Sequence, residues 1–452
     1  MDELTRKQFL AASGATAGAL WAGNALGLAG MGGPEAAAAA GKGFDPVVPP
    51  GDPTLPQIAD KLMHNNWYIP VEPLAEDEIR VSFMGTAFVP RIAQAANSVF
   101  IEVGTGQSFV FDLGMGTLTK YQAMGVPYTR MEHIFITHLH ADHMSDITAI
   151  YCFGPPHGRV TPMHIYGPSG PRLNGAEYVR EGTKAFCEAL YAMCAWHREA
   201  FSFLPTDLKP TTDNPEPGGG YDIVAHEFDY RSEGADAIAY QDDDVKITHF
   251  PAAHDRDGSV SYKLEFKGQS VVFSGDTKPT TWMTTYGKDV DVLIHEMALT
   301  PRTWVEHQSD LYPGDDGYST NLAGSAEVQA NSHTPEKAFG QTMAKCKPRL
   351  GVITHCHFNQ DCFIPAMDAV RKQYDGPVAW AIDGMVINVR PGKDIRQRMS
   401  LMPDFAWDLM IAQYSSDQLE PSKYKGPFAQ YSDYTMDHIP AEWKKWPSDN
   451  AE

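Results

Sequence analysis

The chain has 452 residues, which is enough for one elaborated domain or two smaller ones. A hydrophobic content of 43% with 11% aromatic residues indicates a globular protein with a large core. The formal net charge of −21 disfavours a polyanionic partner such as nucleic acid, because binding phosphates requires a surface rich in Lys and Arg.

The first 40 residues are predicted to be an export signal and not part of the fold. Arg6 and Lys7 precede an apolar stretch rich in Ala and Gly, and an alanine run at residues 36–40 offers a cleavage site. This pattern resembles a twin-arginine signal in which Lys7 replaces the second arginine; the general secretory route is the alternative. Glycines dilute the apolar stretch, so we expect a periplasmic or secreted protein without a stable membrane anchor.

The six cysteines lack the paired spacing of a zinc knuckle, which favours buried packing roles. Their even number still allows a disulfide in an exported protein, and the spacing does not give its connectivity.

Residues 41–78 contain many prolines, which predicts a linker and an N-terminal lid. Strand-like runs then occupy residues 79–86, 98–103 and 108–112. Strand, turn, strand and helix in this order fit one half of a four-layer αββα sandwich.

Residues 134–143 are the chemically richest stretch, because an apolar run ends there in His138, His140, Asp142 and His143. Imidazole and carboxylate groups are the ligands of zinc and related divalent ions. A His-rich surface turn is the alternative, but such a dense group seldom follows a core strand without a role.

This His-x-His-x-Asp-His motif resembles that of the metallo-β-lactamase superfamily, in its branch containing ribonuclease Z and the zinc-dependent arylsulfatases. The resemblance covers residues 79–389 and includes Phe-Met-Gly-Thr from residue 83 and Phe-Asp-Leu-Gly from residue 111. It implies an α/β fold, the αββα metallo-β-lactamase sandwich with insertions, over residues 79–390. Residues 391–452 fall outside the pattern and form an aromatic C-terminal extension that is either a pocket wall or a subunit contact.

The resemblance also implies three further metal ligands, each just after a predicted strand. His254 follows the strand at residues 245–250, Asp276 follows a predicted hairpin, and His355 follows the strand at residues 350–354. His357, which would lie on the same side as His355 if the chain stays extended, is a less certain neighbour of the ligands. His138, His140 and His254 would then hold one divalent ion, Asp142, His143 and His355 a second, and Asp276 would bridge them. Zinc is the default metal for this donor set, with manganese and iron as alternatives.

Three residues are candidates for catalysis by the same resemblance. Asp142 would orient the nucleophile, His333 would donate a proton to the leaving group, and Glu296 would fix the tautomer of His333. Thr334 is predicted to cap a helix that Pro335 opens. The acidic insertion at residues 300–330, which carries Trp304, should cover one side of the site.

We therefore expect an exported binuclear hydrolase of a small ester-like substrate, similar to arylsulfatases or phosphodiesterases, that uses a hydroxide shared by two metal ions. A lactonase is an alternative, and so is a ribonuclease Z-like endonuclease. The endonuclease is disfavoured because only residues 255–275 separate His254 from Asp276, where ribonuclease Z carries a tRNA-binding arm. An iron-dependent redox enzyme and a non-catalytic metal-binding scaffold also remain open, and the sequence gives no oligomeric state.

Overall fold

The computed structural model describes residues 63–68, 72–201 and 219–400, which all fall within one structural unit, Ile58–Glu452. The predicted export signal and the extension beyond residue 400 lie outside the described residues. No helix in the described ranges is both long enough and apolar enough to cross a membrane.

Two β-sheets form the centre of the fold. The first sheet has nine strands in the order β1-β18-β17-β2-β3-β4-β5-β6-β9. Its strands are β1 Met63–Tyr68, β2 Ile79–Gly85, β3 Ser98–Val103, β4 Ser108–Phe111, β5 His133–Phe135, β6 Met163–Pro168, β9 Ile223–Phe228, β17 Met385–Val389 and β18 Arg396–Ser400.

The second sheet has seven strands in the order β10-β11-β12-β13-β14-β15-β16. They are β10 Ile238–Gln241, β11 Val245–Pro251, β12 Val260–Phe266, β13 Gln269–Phe273, β14 Val292–Glu296, β15 Leu350–Thr354 and β16 Val378–Trp380. A separate short hairpin pairs β7 Arg172–Leu173 with β8 Ala176–Glu177.

Ten α-helices lie in the described ranges. They are α1 Thr117–Ala123, α2 Ala141–Met144, α3 Ile147–Phe153, α4 Thr183–Met193, α5 Ala195–Ala200, α6 Thr281–Tyr286, α7 Pro301–Gln308, α8 Tyr318–Ser332, α9 Glu336–Cys346 and α10 Gln360–Arg371.

Apolar side chains pack in three layers, which confirms the predicted αββα sandwich. The central layer joins the facing sides of the two sheets, where the ring centroids of Phe111 and Phe273 lie 5.9 Å apart. The outer layers pack helices against the other face of each sheet, such as α3 on the first sheet and α9 on the second. Strands β2 and β14 are buried at every residue, as expected for strands covered on both faces.

The predicted hairpin is present with the turn that its sequence favours. Strands β12 and β13 pair in antiparallel register, and both Lys267 and Gly268 between them have positive φ angles. Two residues of positive φ form the turn whose twist matches that of paired strands. His254 and Asp276 are therefore connected by one tight hairpin.

The first sheet extends beyond residues 79–390 at both ends. β1 lies in the Pro-rich segment that we assigned to a linker and lid, and it pairs in parallel with β18. β18 in turn pairs with β17, so residues 396–400 continue the sheet into the segment assigned to the extension. β18 continues a local antiparallel pairing with β17, whereas β1 joins the sheet only through a partner more than 300 residues away in the chain.

Candidate metal centre

The predicted ligand residues follow strands whose ends meet at one edge of the sandwich. β13, β14 and β15 are parallel neighbours, so the segments after them emerge side by side, with Asp276 after β13 and His355 after β15. His138 follows β5 in the first sheet, and α2 carries Asp142 and His143. The sequence therefore delivers side chains from both sheets to one place.

His138, His140 and His254 form the first cluster. His138 Nε2 lies 3.0 Å from His140 Nδ1, which lies 3.2 Å from His254 Nε2. Two nitrogens that each bind a tetrahedral zinc ion at about 2 Å are about 3.3 Å apart, so this spacing suits one cation. Burial lowers the pKa of His138 well below its usual value, which favours the neutral imidazole that binds metals.

Asp142, His143, Asp276 and His355 form the second cluster. His143 Nε2 and His355 Nε2 are 3.3 Å apart, and Asp142 Oδ2 lies 3.0 Å from His355 Nε2. Although burial raises the pKa of Asp142, the nearby His143 and His355 hold it well below the usual range. Asp142 is therefore ionised, as a carboxylate that could hold a metal ion must be.

Asp276 lies between the two clusters. Its Oδ1 atom is 3.3 Å from both His143 Nε2 and His355 Nε2, and its Oδ2 atom is 3.7 Å from His254 Nε2. The side chain is 2% exposed, and Oδ1 has no hydrogen-bond partner among the described residues. An unpartnered oxygen of a buried carboxylate is costly, so this group fits a cation on each side.

Asp112 is a site residue that the sequence analysis missed. Its Oδ2 atom lies 2.7 Å from His143 Nδ1, and its two oxygens also accept hydrogen bonds from the backbone and hydroxyl of Thr137. This contact leaves the Nε2 lone pair of His143 directed at the second cluster. The sequence shows only an aspartate directly after a strand, and nothing local links Asp112 to His143, which is 31 residues further along the chain.

Glu296 and His333 form the predicted pair next to the clusters. Glu296 Oε1 lies 3.0 Å from His333 Nδ1 and also accepts the backbone N–H of Thr277 at 2.9 Å. The ring of His333 lies 5.1 Å from that of His254 and 5.7 Å from that of His355. Burial opposes protonation of His333, but Glu296 outweighs it and raises the pKa of His333 to about 9.

The helix after His333 begins differently from the prediction. Pro335 is the N-cap residue of α9, and the hydroxyl of Thr334 donates to the carbonyl of Thr277 instead of capping the helix. This 2.7 Å hydrogen bond ties the segment that carries His333 to the segment that follows Asp276. The predicted cap was wrong because a tertiary partner captures the hydroxyl.

His357 does not join either cluster. The backbone of His355 has a φ of 57°, which interrupts the extended alternation that would place both histidines on one side. His357 Nε2 instead lies 2.7 Å from the carbonyl oxygen of Val89, and its ring stacks on Phe88. The expectation that His357 lies on the ligand side was therefore wrong.

A cavity of about 360 Å³ opens beside the first cluster. It is bordered by His138, His140 and His254, and further out by an ion pair of 2.7 Å between Arg256 and Glu181. A space of this size suits a small molecule or one end of a larger one.

Residues 91–295 match the Lactamase_B family, described as the metallo-beta-lactamase superfamily. Ribonuclease Z of Mycolicibacterium gilvum (strain PYR-GCK) is 26% identical over 225 residues, which cover 48% of this chain and 68% of that protein. Ribonuclease BN of Proteus mirabilis (strain HI4320) is 26% identical over 250 residues, covering 48% of this chain and 76% of that one.

Two solved structures are similar to this chain at low sequence identity. The metallo-beta-lactamase fold protein YhfI from Bacillus subtilis has a TM-score of 0.46 and 17% identity, over 69% of this chain and 100% of that one. The short form of human tRNase Z has a TM-score of 0.46 and 20% identity, over 68% and 98% respectively.

The fold, the His/Asp clusters and the family match define a metallo-hydrolase of the metallo-β-lactamase fold. The chain carries a metallo-β-lactamase superfamily domain, and ribonucleases Z and BN are among its relatives.

Proposed function

We propose that the protein is a binuclear metal-dependent hydrolase that cleaves an ester-like bond in a small substrate. The observation that carries this proposal is Asp276, whose two buried oxygens face different clusters. A carboxylate in that position can hold two cations at once, as hydrolysis at a paired metal site requires.

Zinc is the metal that the donors favour, because the two clusters combine neutral imidazoles with two carboxylates and contain no thiolate. His138, His140 and His254 would hold one ion, and Asp142, His143 and His355 the other. Two bound divalent ions would supply an activated water and would polarise the bond to be cleaved.

The residues next to the clusters supply the proton chemistry. Asp142 is partly exposed, with 24% of its side chain accessible, so one carboxylate can both bind a cation and accept a hydrogen bond from the attacking water. His333 carries a proton on Nδ1 that Glu296 holds, which leaves the Nε2 side of the ring for the leaving group. The raised pKa of His333 favours a second proton on Nε2 at neutral pH. His333 can donate this Nε2 proton to the leaving group as the bond breaks.

A phosphodiester is the substrate type that the relatives favour, since two of them are named ribonuclease Z and ribonuclease BN. A nucleic acid is nevertheless the weaker proposal for this chain, for two reasons. Its formal charge is −21, and the segment between His254 and Asp276 is one tight hairpin with no additional element. A sulfate ester or a lactone would also suit the paired site.

We further propose that the protein is exported to the periplasm or secreted, and the pattern in residues 1–40 supports this. Detecting the full-length and shortened forms in fractionated cells would test the proposal. A protein that keeps residues 1–40 and stays in the cytoplasm would contradict it.

The proposed function is tested by metal analysis together with three assays. Protein purified without added metal should contain two zinc ions per chain and should hydrolyse an aryl sulfate, a bis-aryl phosphodiester or a lactone. Asp276→Ala should lose both metal and activity, while Asp229→Ala, which removes an exposed carboxylate paired with Arg231, should retain both. Two iron ions or one, with no hydrolysis, would refute the hydrolase and indicate redox chemistry. Bound metal with no activity of either kind would leave a metal-binding scaffold.

A further inference from the structure

A group of aromatic rings borders the second cluster. The ring of Phe88, on the loop after β2, stacks on Trp304 of α7 with centroids 4.5 Å apart. It also lies 6.1 Å from the ring of His355, whose Nε2 belongs to the second cluster. Phe88 and Trp304, which we call the aromatic shelf, are both only partly buried.

The loop that carries Phe88 is fixed by polar contacts directed into the protein. Arg91 donates to the side chain of Asn359 at 2.6 Å and to the carbonyl of Phe358 at 2.5 Å. His357 contacts the carbonyl of Val89 at 2.7 Å. Both terminal nitrogens of the Arg91 guanidinium are thus bound within the fold and not directed at the centre.

The solvent-facing side chains of the same loop are apolar. Val89 is 51% exposed and Ile92 is fully exposed, at 104% of the reference area. Exposed apolar side chains that continue from a buried polar centre are typical of a ligand-binding rim.

The opposite side of the centre has a different character. The cavity next to His138, His140 and His254 is bordered by the charged side chains of Arg256 and Glu181. The two sides of the centre therefore differ in lining, with ion-pairing side chains on one and aromatic rings on the other.

We infer that the aromatic shelf is the subsite for a flat apolar group of the substrate, an aryl ring, beside His355. The inference rests on the proposed function, because it assigns the ester group to the metal centre. Phe88 already packs between His357 and Trp304, so the stack is preformed and an aryl ring that adds to it loses water without reorganising the site. Trp304 would be the main determinant, since it is at the outer end of the stack.

Binding of three non-hydrolysable phosphonates to the metal-loaded full chain, measured by calorimetry, tests the subsite. Phenylphosphonate, cyclohexylphosphonate and methylphosphonate share the metal-binding head group and differ only in the group presented to the shelf. We expect phenylphosphonate to bind about tenfold more tightly than methylphosphonate, with cyclohexylphosphonate between them. In Trp304→Leu the preference for phenyl over methyl should fall to about twofold, and the affinity for methylphosphonate should not change.

Trp196→Leu is the matched control, because Trp196 is 82% exposed on α5 and has no contact with the centre. It should keep the wild-type preference, and Phe88→Leu should lose it. Equal binding of phenyl- and methylphosphonate to the wild type would overturn the inference. It would also be overturned if Trp304→Leu weakened both ligands equally, since that would indicate damage to the centre.

These outcomes separate the subsite from the proposed function. Selective phenylphosphonate binding without turnover of any ester would refute the hydrolase and leave the subsite in place. Ester turnover without a preference for phenylphosphonate would support the hydrolase and refute the aryl subsite.

Discussion

Asp112→Asn should weaken metal binding although Asp112 is not a ligand. The wild-type carboxylate accepts three hydrogen bonds, from the backbone of Thr137 at 2.8 Å, its hydroxyl at 2.8 Å, and His143 Nδ1 at 2.7 Å. Asparagine has the same shape but only one acceptor oxygen. If that oxygen still accepts the backbone N–H of Thr137, the NH2 group of the asparagine faces His143 Nδ1. Its N–H donates to Nδ1 and so favours the His143 tautomer with the proton on Nε2.

That tautomer cannot bind a cation, because Nε2 is the atom that faces Asp276 and His355. Asp112 and His143 are both fully buried, so no solvent relieves the mismatch. A buried group left without its partner costs about 1–3 kcal/mol, which corresponds to about 5- to 150-fold weaker metal binding.

Competition with a chromophoric chelator at neutral pH measures this loss directly. Asp383→Asn is the control, since Asp383 is also a buried carboxylate that accepts a backbone N–H, that of Ala95, but it contacts no residue of the clusters. Metal binding by Asp112→Asn within twofold of the wild type would refute this role of Asp112, and so would an equal loss in the control.

Three further results are expected. Glu296→Gln removes the negative charge beside His333 and should reduce kcat by about 100-fold for esters with poor leaving groups. The reduction should be much smaller for 4-nitrophenyl esters, whose leaving group needs no proton. Equal losses for both kinds of ester would contradict a proton-donor role for His333. Burial raises the pKa of Asp383 from 3.8 to about 6, so its contribution to stability is present below pH 4 and is lost as pH rises through 6. The free energy of unfolding of the wild type, measured by urea titration, should therefore fall by up to about 3 kcal/mol between about pH 4 and pH 6 relative to that of Asp383→Asn. If the unfolding free energies of the two proteins change in parallel with pH, Asp383 does not have the raised pKa. The sulfurs of Cys152 and Cys194 lie 3.6 Å apart, so prolonged treatment with glutathione disulfide should join them, and peptide mapping that finds both as free thiols would exclude the link.

The ligand positions could be predicted because each is tied to a local pattern. Four of the candidate residues fall within six positions of one another after a strand, and His254, Asp276 and His355 each follow a strand directly. His254, Asp276 and His355 were expected from the family resemblance, and their convergence is explained by the ends of parallel strands meeting at one sheet edge. The structure brings all seven side chains together.

Residues that act through tertiary contacts could not be predicted in the same way. Asp112 looks like an ordinary residue at the end of a strand until its 2.7 Å contact with His143 is seen. His357 was misplaced for a related reason, because alternation along an extended chain fails at the positive φ of His355. Neither the backbone angle of one residue nor a single long-range contact can be predicted from the pattern of residue types along the chain.

The origin of the ligands has a consequence for how the fold and the centre depend on each other. His138 and His143 follow strands of the first sheet, whereas Asp276 and His355 follow strands of the second. The apolar layer between the sheets stabilises their contact but does not fix their relative position, because hydrophobic contacts are non-directional. A metal centre at one edge would link the sheets through ligands with fixed geometry. Without cations, the buried carboxylate of Asp276 would have to be satisfied by protonated histidines, which are themselves costly to bury. Bound metal ions would therefore contribute to holding the two sheets in register as well as to chemistry, and the folded state and the loaded centre would stabilise each other.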